Sequence, residues 1–539
     1  MGAFLNSYIP FAGYREISAD PYFVDKTGLL EELFPAIGRR NKYFCITRPR
    51  RFGKSVMANM VGAFFEKTVD GSGLFGHLAI SKSKDYQKHL NNHNVIYIDF
   101  SRVPEKCESY DSYITRISDG IKEELVVAYP ELSLNKEQAV WDLLLKIFIE
   151  TSHQFVFVLD EWDAAFHMSF VSEAMQKEYL LFLKNLLKDQ VYVELAYMTG
   201  VLPITKYSSG SELNMFLEYN MVTKKKFSGY FGFDDKEVDQ LFDIYKNHTA
   251  DGKITREDLR VWYDGYYAAY GHKMYNPRSI VCALSDNELA SYWTSSGPYD
   301  EIFYYIRNNI EAVREDLVYM ISGEGVKAEI QDYAAVSMNL NTRNEIYSAM
   351  VVYGMLTYDE SVGKVFIPNR EIMEQFKTLL MTKDSLGYVY RLANESEKML
   401  TATLSGDTEA MSAILKFAHD TESPILSYNS EIELSAVVNL VYLAARDLYR
   451  VEREDKAGEG YVDFIFYPER RNQDAFILEL KIDSTPEDAI AQIIDKKYAL
   501  RFAGKLGERP KYTGRILAVG ISYNRKTKVH CCKVEVLKS

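Results

Sequence analysis

The stretch RPRRFGKS, residues 48–55, ends in Gly53, Lys54 and Ser55. That is the order a phosphate-binding loop requires. A glycine lets the main chain approach a phosphate, successive N–H groups can wrap the anion, and a following helix adds its positive end. Lys54 would reach the outer phosphates as a point charge, and the Ser55 hydroxyl would be a ligand for Mg2+. The motif G-x-x-x-x-G-K-[ST] starts with glycine, whereas this chain has Arg48. Arg48, Arg50 and Arg51 either add charge to the phosphate pocket or stay solvated; Arg51 joins the nucleotide-binding candidates.

Such a loop needs a second strand that ends in an acid. FVFVLDEWD (155–163) supplies one. Asp160 would hold the metal through water, and Glu161 is placed to orient or deprotonate an attacking water. Thr199 ends another apolar run, VELAYMTG (193–200), from which it could contact a γ-phosphate. Asp25, ahead of KTGLLEELF, suits a helix N-cap better than a ligand.

A second cluster lies in YVDFIFYPERRNQDAFILELKI (461–482). Two alternating runs flank a polar segment, as in a hairpin with a longer loop. Pairing Tyr467 with Ala475 sets Asp463 directly opposite Glu479, with Lys481 on the same face. Facing carboxylates repel. A divalent cation between them removes that penalty, and a neighbouring lysine can steady a phosphate or a water. This is the D…E-x-K pattern of a metal-dependent phosphodiesterase. Ile465 and Ile477 share the face and argue against a merely solvated strand. Glu433 is the candidate upstream acid, although Ser430-x-x-Glu433 also reads as a capping box. Gln492, Lys496 and Tyr498, in or after the helical stretch DAIAQIIDKKYA, are candidates to approach the site or a nucleic-acid backbone.

These residues need elements to hold them. KYFCIT (42–47), NVIYIDF (94–100), FVFVLD and VELAYMTG are short β-rich runs, separated by longer helical patterns. That alternation predicts a mostly parallel sheet covered on both faces. From about 225 the pattern turns helical, through KEVDQLFDIYKNH and REDLRVWYDGYYAAY, and YNP (275–277) is read as closing that unit. The expected division is a phosphate-loop α/β domain over 1–224, a helical lid over 225–290, a mainly helical middle region over 291–375, and an α/β domain over 376–539. The hairpin-like MLTYDESVGKVFIP (355–368) between helices would suit a winged helix.

The 539 residues carry 63 Lys or Arg against 76 Asp or Glu, a net charge of −13. That balance opposes nucleic-acid binding on average. From Lys496 to Ser539, however, 12 basic residues face only Glu508 and Glu535. A basic end on an acidic chain suggests a local anionic partner. Five scattered cysteines without a CxxC pair indicate neither a disulfide framework nor a zinc site. The N-terminus lacks a signal-peptide pattern and no apolar run is long enough to cross a bilayer, so a soluble cytoplasmic protein without membrane contact is expected.

VDKTGLLEEL (24–33), RPRRFGKS, DEWD (160–163), TGVLPITK (199–206), WYDGY (262–266) and YNP, in this order, resemble the AAA-ATPase-like family, whose members often carry a C-terminal PD-(D/E)XK nuclease domain. In that family the loop usually reads PRRFGKS or PRRFGKT, so Arg48 is no defect peculiar to this chain. The resemblance implies ATP as the nucleotide and a role linked to mobile elements, defence or effector systems. It also implies nuclease-site roles for Glu433, Asp463, Glu479, Lys481, Gln492 and Tyr498. The family commonly has arginine two residues before the first catalytic aspartate; here GEGYVD puts Tyr461 there.

The expected fold is α/β: a P-loop NTPase parallel sheet with a helical lid and middle region, plus a C-terminal restriction-endonuclease-like α/β domain. The expected function is ATP binding and hydrolysis coupled to a Mg2+-dependent nuclease acting on nucleic acid, with DNA as the first choice. A homo-oligomer is compatible with the sequence. The alternative is a nucleotide-gated DNA-binding or signalling module whose nuclease fold does not cut, a reading that rests on Tyr461. A phosphotransferase acting on a small substrate is disfavoured by the hairpin carboxylates.

Overall fold

The computed structural model describes residues 2–105, 107–204, 212–222, 224–249, 251–293, 310–321, 323–330, 342–382, 388–420, 431–457, 460–468, 472–503 and 514–538. The chain forms two compact units. The first comprises Met1–Ile302 with Lys327–Ile372, and the second Phe303–Val326 with Met373–Ser539.

In the first unit the apolar runs become strands β1 (Tyr43–Thr47), β2 (Asn94–Asp99), β3 (Phe155–Asp160) and β4 (Val193–Gly200). A short β5 (Leu217–Tyr219) joins them. The order is β2-β3-β4-β1-β5 and every pair is parallel. All residues of β1 and β3 are buried, as expected of strands covered on both faces. Parallel strands send their carboxyl ends to one edge. There β1 stands next to β4, and β4 next to β3, so the residues after β1 share an edge with Thr199 and Asp160. The connection after β1 crosses to the far edge strand β2 while the one after its neighbour β4 runs the other way to β5, the kind of switch point where ligands bind in open α/β sheets.

Helix α1 (Lys54–Phe65) begins directly after Gly53 and packs on the sheet, burying Met57, Met60, Val61, Phe64 and Phe65. Further along come α2 (Asp235–His248), α3 (Arg256–Tyr263) and α4 (Pro277–Asp286). Capping boxes at Asp234/Glu237 and Thr255/Asp258 start the first two. Asn276 caps α4 through the N–H groups of Arg278 and Ser279, with Pro277 in its first turn. YNP therefore opens a helix rather than closing a unit, because proline is well tolerated in a first turn. Helix α5 (Arg343–Tyr353), an antiparallel pair (Thr357–Asp359 with Lys364–Phe366) and α6 (Arg370–Thr382) follow. Parts of the region expected to be a winged helix, 294–309 and 331–341, lie outside the described residues.

The second unit opens with helices, among them α7 (Glu431–Val441). A mixed sheet follows: β6 (Tyr449–Ala457), β7 (Gly460–Pro468), β8 (Ala475–Ile482), β9 (Ile516–Asn524) and β10 (Val529–Lys538), in that spatial order. Only β8 and β9 run parallel; α8 (Pro486–Asp495) makes the crossover between them. Its Ile490 and Ile493 join Ile465, Ile477 and Ala518 in one apolar core. Among the described residues, no helix is long and apolar enough to cross a membrane.

Candidate functional site

Gly53 holds φ at 85°, and the space a Cβ would occupy there is open. A ligand can therefore reach the main chain. The next residue, Lys54, is buried, and its Nζ donates to the main-chain oxygens of Arg48 (3.1 Å) and Pro49 (3.0 Å). Burial depresses the Lys54 pKa, while Asp163, Glu161 and Asp160 oppose that shift. The loop thus forms a ring closed by its own cation.

Across the edge, Asp160 is buried at 2 % exposure. Its carboxylate accepts hydrogen bonds from the hydroxyls of Thr199 and Ser55, and Oδ1 accepts from the N–H of Glu161 at 3.1 Å. Burial raises the Asp160 pKa against those bonds. Glu161 is half-buried with φ at 49°, a left-handed conformation that costs a non-glycine residue about 1 kcal/mol or more. Its pKa is raised, first by burial and then by the charge of Asp160. Lys54, Ser55, Asp160, Glu161 and Thr199 therefore come together at one sheet edge. Their donors and acceptors suit a nucleotide phosphate with Mg2+, and the open main chain at Gly53 leaves room for it.

Arg48 takes neither place expected of it. Its guanidinium is buried, donating from Nη1 to the carbonyls of Thr47 (2.7 Å) and Tyr219 (2.8 Å), and it lies 4.8 Å from the Phe231 ring centroid. The side chain fastens β1 to β5 beneath the loop. Arg51 is half-buried with φ at 68°. Its pKa is lowered by burial and then by the like charge of Arg278, with Glu371 opposing. Asp25 is a turn former: Oδ1 accepts from the N–H and hydroxyl of Thr27, and Oδ2 from the N–H of Ala79.

Two residues of this edge, and a third whose charge acts on Arg51, escaped the sequence reading. Asp99 ends β2 in register with Asp160, and its strand-end position was the available signal. Asp163 accepts the N–H groups of Val201 (3.0 Å) and Leu202 (2.8 Å), fixing the segment after β4. Glu371 is fully buried, accepts from Ser279 and from the N–H groups of Tyr292 and Trp293, and is pushed up to about 7 by burial.

In the second unit Phe464 pairs with Leu478, Ile465 with Ile477 and Phe466 with Phe476. Continued by one step, that register sets Asp463 opposite Glu479. Asp463 Oδ2 accepts the N–H of Leu480 at 2.7 Å. Glu479 is 3 % exposed. Its Oε1 accepts from Lys481 Nζ at 3.2 Å and from Gln492 Nε2, whose amide also reaches the Tyr498 hydroxyl at 3.4 Å. Its Oε2 is buried without a hydrogen-bond partner. Burial, and then the charge of Asp463, push the Glu479 carboxyl up to about 7. Asp463, Glu479, Lys481, Gln492 and Tyr498 thus form one cluster. Glu433 stands half-buried on α7, a helix that packs against β8.

An unsatisfied buried oxygen beside a second carboxylate fits a cation. Among the described residues, no three His, Cys, Asp or Glu side chains converge on one point. Two carboxylates with waters and substrate oxygens suit Mg2+, which keeps several waters. The basic C-terminal stretch is partly neutralised: Arg515 pairs with Asp474, Arg525 with Asp483, and Lys533 with Glu535. Lys496 and Lys497 are exposed beside the cluster's helix, and 504–513, with Lys505, Arg509 and Lys511, lie outside the described residues. Tyr461 lies on β7, with its main chain paired to Lys456.

The first unit has the parallel sheet and loop of a P-loop NTPase, and the second has the mixed sheet of a PD-(D/E)XK domain. Residues 11–209 match the family described as predicted AAA-ATPase, and residues 435–532 match the PD-(D/E)XK nuclease superfamily. The chain joins an AAA-ATPase-like domain to a PD-(D/E)XK nuclease-like domain. A curated relative, an uncharacterized protein in the vnfD 5′ region of Azotobacter chroococcum mcd 1, is 25% identical over 292 residues, covering 53% of this chain. The match spans 52% of that relative, about half its length. Weak likenesses to solved structures include Aeropyrum pernix ORC2 in ADPNP–ADP complexes (11% identity, 70% of this chain, 94% of that chain, TM-score 0.31). They also include Aeropyrum pernix ORC1 in complex with DNA (13% identity, 67% and 95%, TM-score 0.29) and Cdc6p of Pyrobaculum aerophilum (12% identity, 69% and 98%, TM-score 0.27).

Proposed function

We propose that the protein binds and hydrolyses ATP in its first unit and cleaves nucleic acid, DNA first, in its second. The observation that carries the nuclease half is the orphaned Glu479 Oε2 beside Asp463 and Lys481. Asp463 and Glu479 would hold Mg2+, which supplies Lewis-acid polarisation of a phosphodiester when bound. Lys481 contributes a fixed positive charge near the attacked phosphate. Gln492 donates to Glu479 and sets its orientation. Glu433, on α7, stays a candidate acid outside the Asp463–Glu479 pair. In the first unit, Lys54 and the loop N–H groups would hold the phosphates, Arg51 would add positive charge beside them, and Ser55 and Asp160 would hold Mg2+. Glu161 would take the proton of an attacking water. Thr199 would orient Asp160 through its hydroxyl.

The finer division into a lid over 225–290 and a middle region over 291–375 belongs to the same proposal, as does a mobile-element, defence or effector setting. A plasmid-nicking assay with Mg2+ or EDTA, with and without ATP, tests the reading. Mg2+-dependent nicks are expected. ATP turnover without cleavage of any DNA or RNA would favour a nucleotide-gated module that binds without cutting.

A further inference from the structure

The WYDGY turn has no role in the chemistry above, yet its tyrosine touches the phosphate loop. Phe52, within RPRRFGKS, is buried at 1 % exposure rather than standing in solvent. Its ring meets the Tyr266 ring edge-on, with centroids 5.0 Å apart at 84°. The Tyr266 hydroxyl donates to the carbonyl oxygen of Gly354 at 3.1 Å. Gly354 in turn lies against the loop: its φ is +83°, and a Cβ there would fall 2.8 Å from Pro49 Cβ. The turn is itself applied closely to its support. Gly265 holds φ at +113°, and a Cβ there would fall 1.9 Å from the Pro368 oxygen. Tyr267 N–H donates to the Thr357 hydroxyl at 2.6 Å. All these residues belong to the first unit.

We propose that Tyr266 is a positioning residue for the nucleotide, holding the phosphate loop from outside through Phe52 and Gly354. The proposal rests on that loop being the phosphate site. Three features of the loop call for such a hold. Arg51 has left-handed φ, which a non-glycine residue resists. Arg50 and Arg278 place like charges near Arg51, which the charge of Glu371 opposes. The internal tie, Lys54 on the carbonyls of Arg48 and Pro49, is given up when Lys54 turns to a phosphate. A clamp that contacts neither phosphate nor Lys54 keeps the loop N–H groups convergent through that change. Preorganisation of this kind raises affinity without adding a ligand contact.

The test is ATP binding by the full chain with Tyr266→Leu, Tyr266→Phe, Phe52→Leu, Gly354→Ala and the Phe52→Leu/Tyr266→Leu pair, each checked for folding by circular dichroism. Loss of the aromatic pair should raise the Kd for ATP about 3- to 10-fold. Tyr266→Phe keeps the ring but loses the bond to Gly354, so it should weaken binding by less than Tyr266→Leu does. Gly354→Ala, which touches no nucleotide, should weaken binding by pressing on Pro49, and serves if Tyr266→Leu does not fold. The double variant should be less than additive, because each change removes the same contact. Wild-type affinity in the folded Phe52→Leu and Gly354→Ala proteins, or strict additivity in the pair, overturns the proposal. ATP binding by Lys54→Ala at wild-type strength would remove the loop itself as the phosphate site, and the role of Tyr266 with it.

Discussion

Lys54 Nζ lies 3.0 Å from the carbonyl oxygen of Pro49, a partner inside the very loop that Lys54 is expected to serve. The ammonium is buried and satisfied by main-chain oxygens. Lys54→Ala removes the cation at the outer phosphates and strands the two carbonyls. ATP affinity should fall by about 100-fold, the scale of losing charge-assisted bonds in a buried site. Equilibrium binding of ATP measures it, and a change of less than a few-fold would put the phosphates elsewhere.

Glu161 stands next to Asp160 at the edge of the sheet, and its pKa is raised. A carboxyl with a raised pKa is a better proton acceptor than an ordinary one. Glu161→Gln keeps the shape but cannot take a proton. Binding should persist while turnover falls by about 100-fold or more, within the usual range for a general base. Equal turnover by wild type and variant would remove Glu161 from that role.

Much of the site-bearing framework was readable because it repeats simple rules. The hairpin register needed only a symmetrical count about PERRNQD, and Phe464 does pair with Leu478 as that count requires. Strands β1 and β3 announced themselves as fully apolar runs ending at a glycine loop and an acid. Strand β5 did not. Leu217–Tyr219 is three residues long, none of them buried, and has no alternation to read. Arg48 was misplaced for a different reason. The Tyr219 carbonyl that accepts its guanidinium lies 171 residues away, and no local pattern carries that distance. Glu371 was invisible likewise, since its partners Ser279, Tyr292 and Trp293 come from a distant part of the chain.

Lys496 and Lys497 follow the helix that carries Gln492, and both are exposed. Their exposure next to the helix that carries Gln492 makes the two lysines candidates for phosphate contacts. Changing both to alanine should weaken DNA binding alike for all sequences. The slope of log K against log salt should flatten by about 2 if each contacts one phosphate. Binding titrations at several salt concentrations give that slope, and an unchanged slope would put the nucleic-acid surface elsewhere.

Glu479 gives the metal-free protein a pH dependence of definite sign. Its carboxyl sits at about 7 in the fold against an ordinary 4.5. The folded state therefore binds more protons than the unfolded chain between those values. Stability should fall as pH rises from 4.5 through 7 and then level off, by roughly 3 kcal/mol at most. Glu479→Gln should flatten this part of the profile. Mg2+ favours the ionised pair, so its stabilisation should be larger at pH 8 than at pH 5. Thermal melts at both pH values, with Mg2+ or EDTA, decide it; an identical Mg2+ response at both would remove Glu479 as a ligand.

Asp463 tests the same pair from the other side. Its carboxylate is tied to the Leu480 N–H, and its charge is one cause of the raised Glu479 pKa. Asp463→Asn keeps the size, removes one charge and leaves Glu479 without a repelling partner. Without metal the variant should be more stable than wild type at pH 8, because the repulsion on the ionised Glu479 is relieved. With metal the order should reverse, because one ligand charge is gone. Mg2+-dependent nicking should disappear, while ATP binding stays at the wild-type value, since Lys54 and Asp160 belong to the first unit. Lys481→Ala should share the loss of cleavage but not the gain in stability, because it deprives Glu479 of a favourable charge. Opposite stability changes with the same catalytic loss separate a metal-binding pair from a merely buried polar cluster. Nicking that survives in both variants would place the cutting chemistry outside this hairpin.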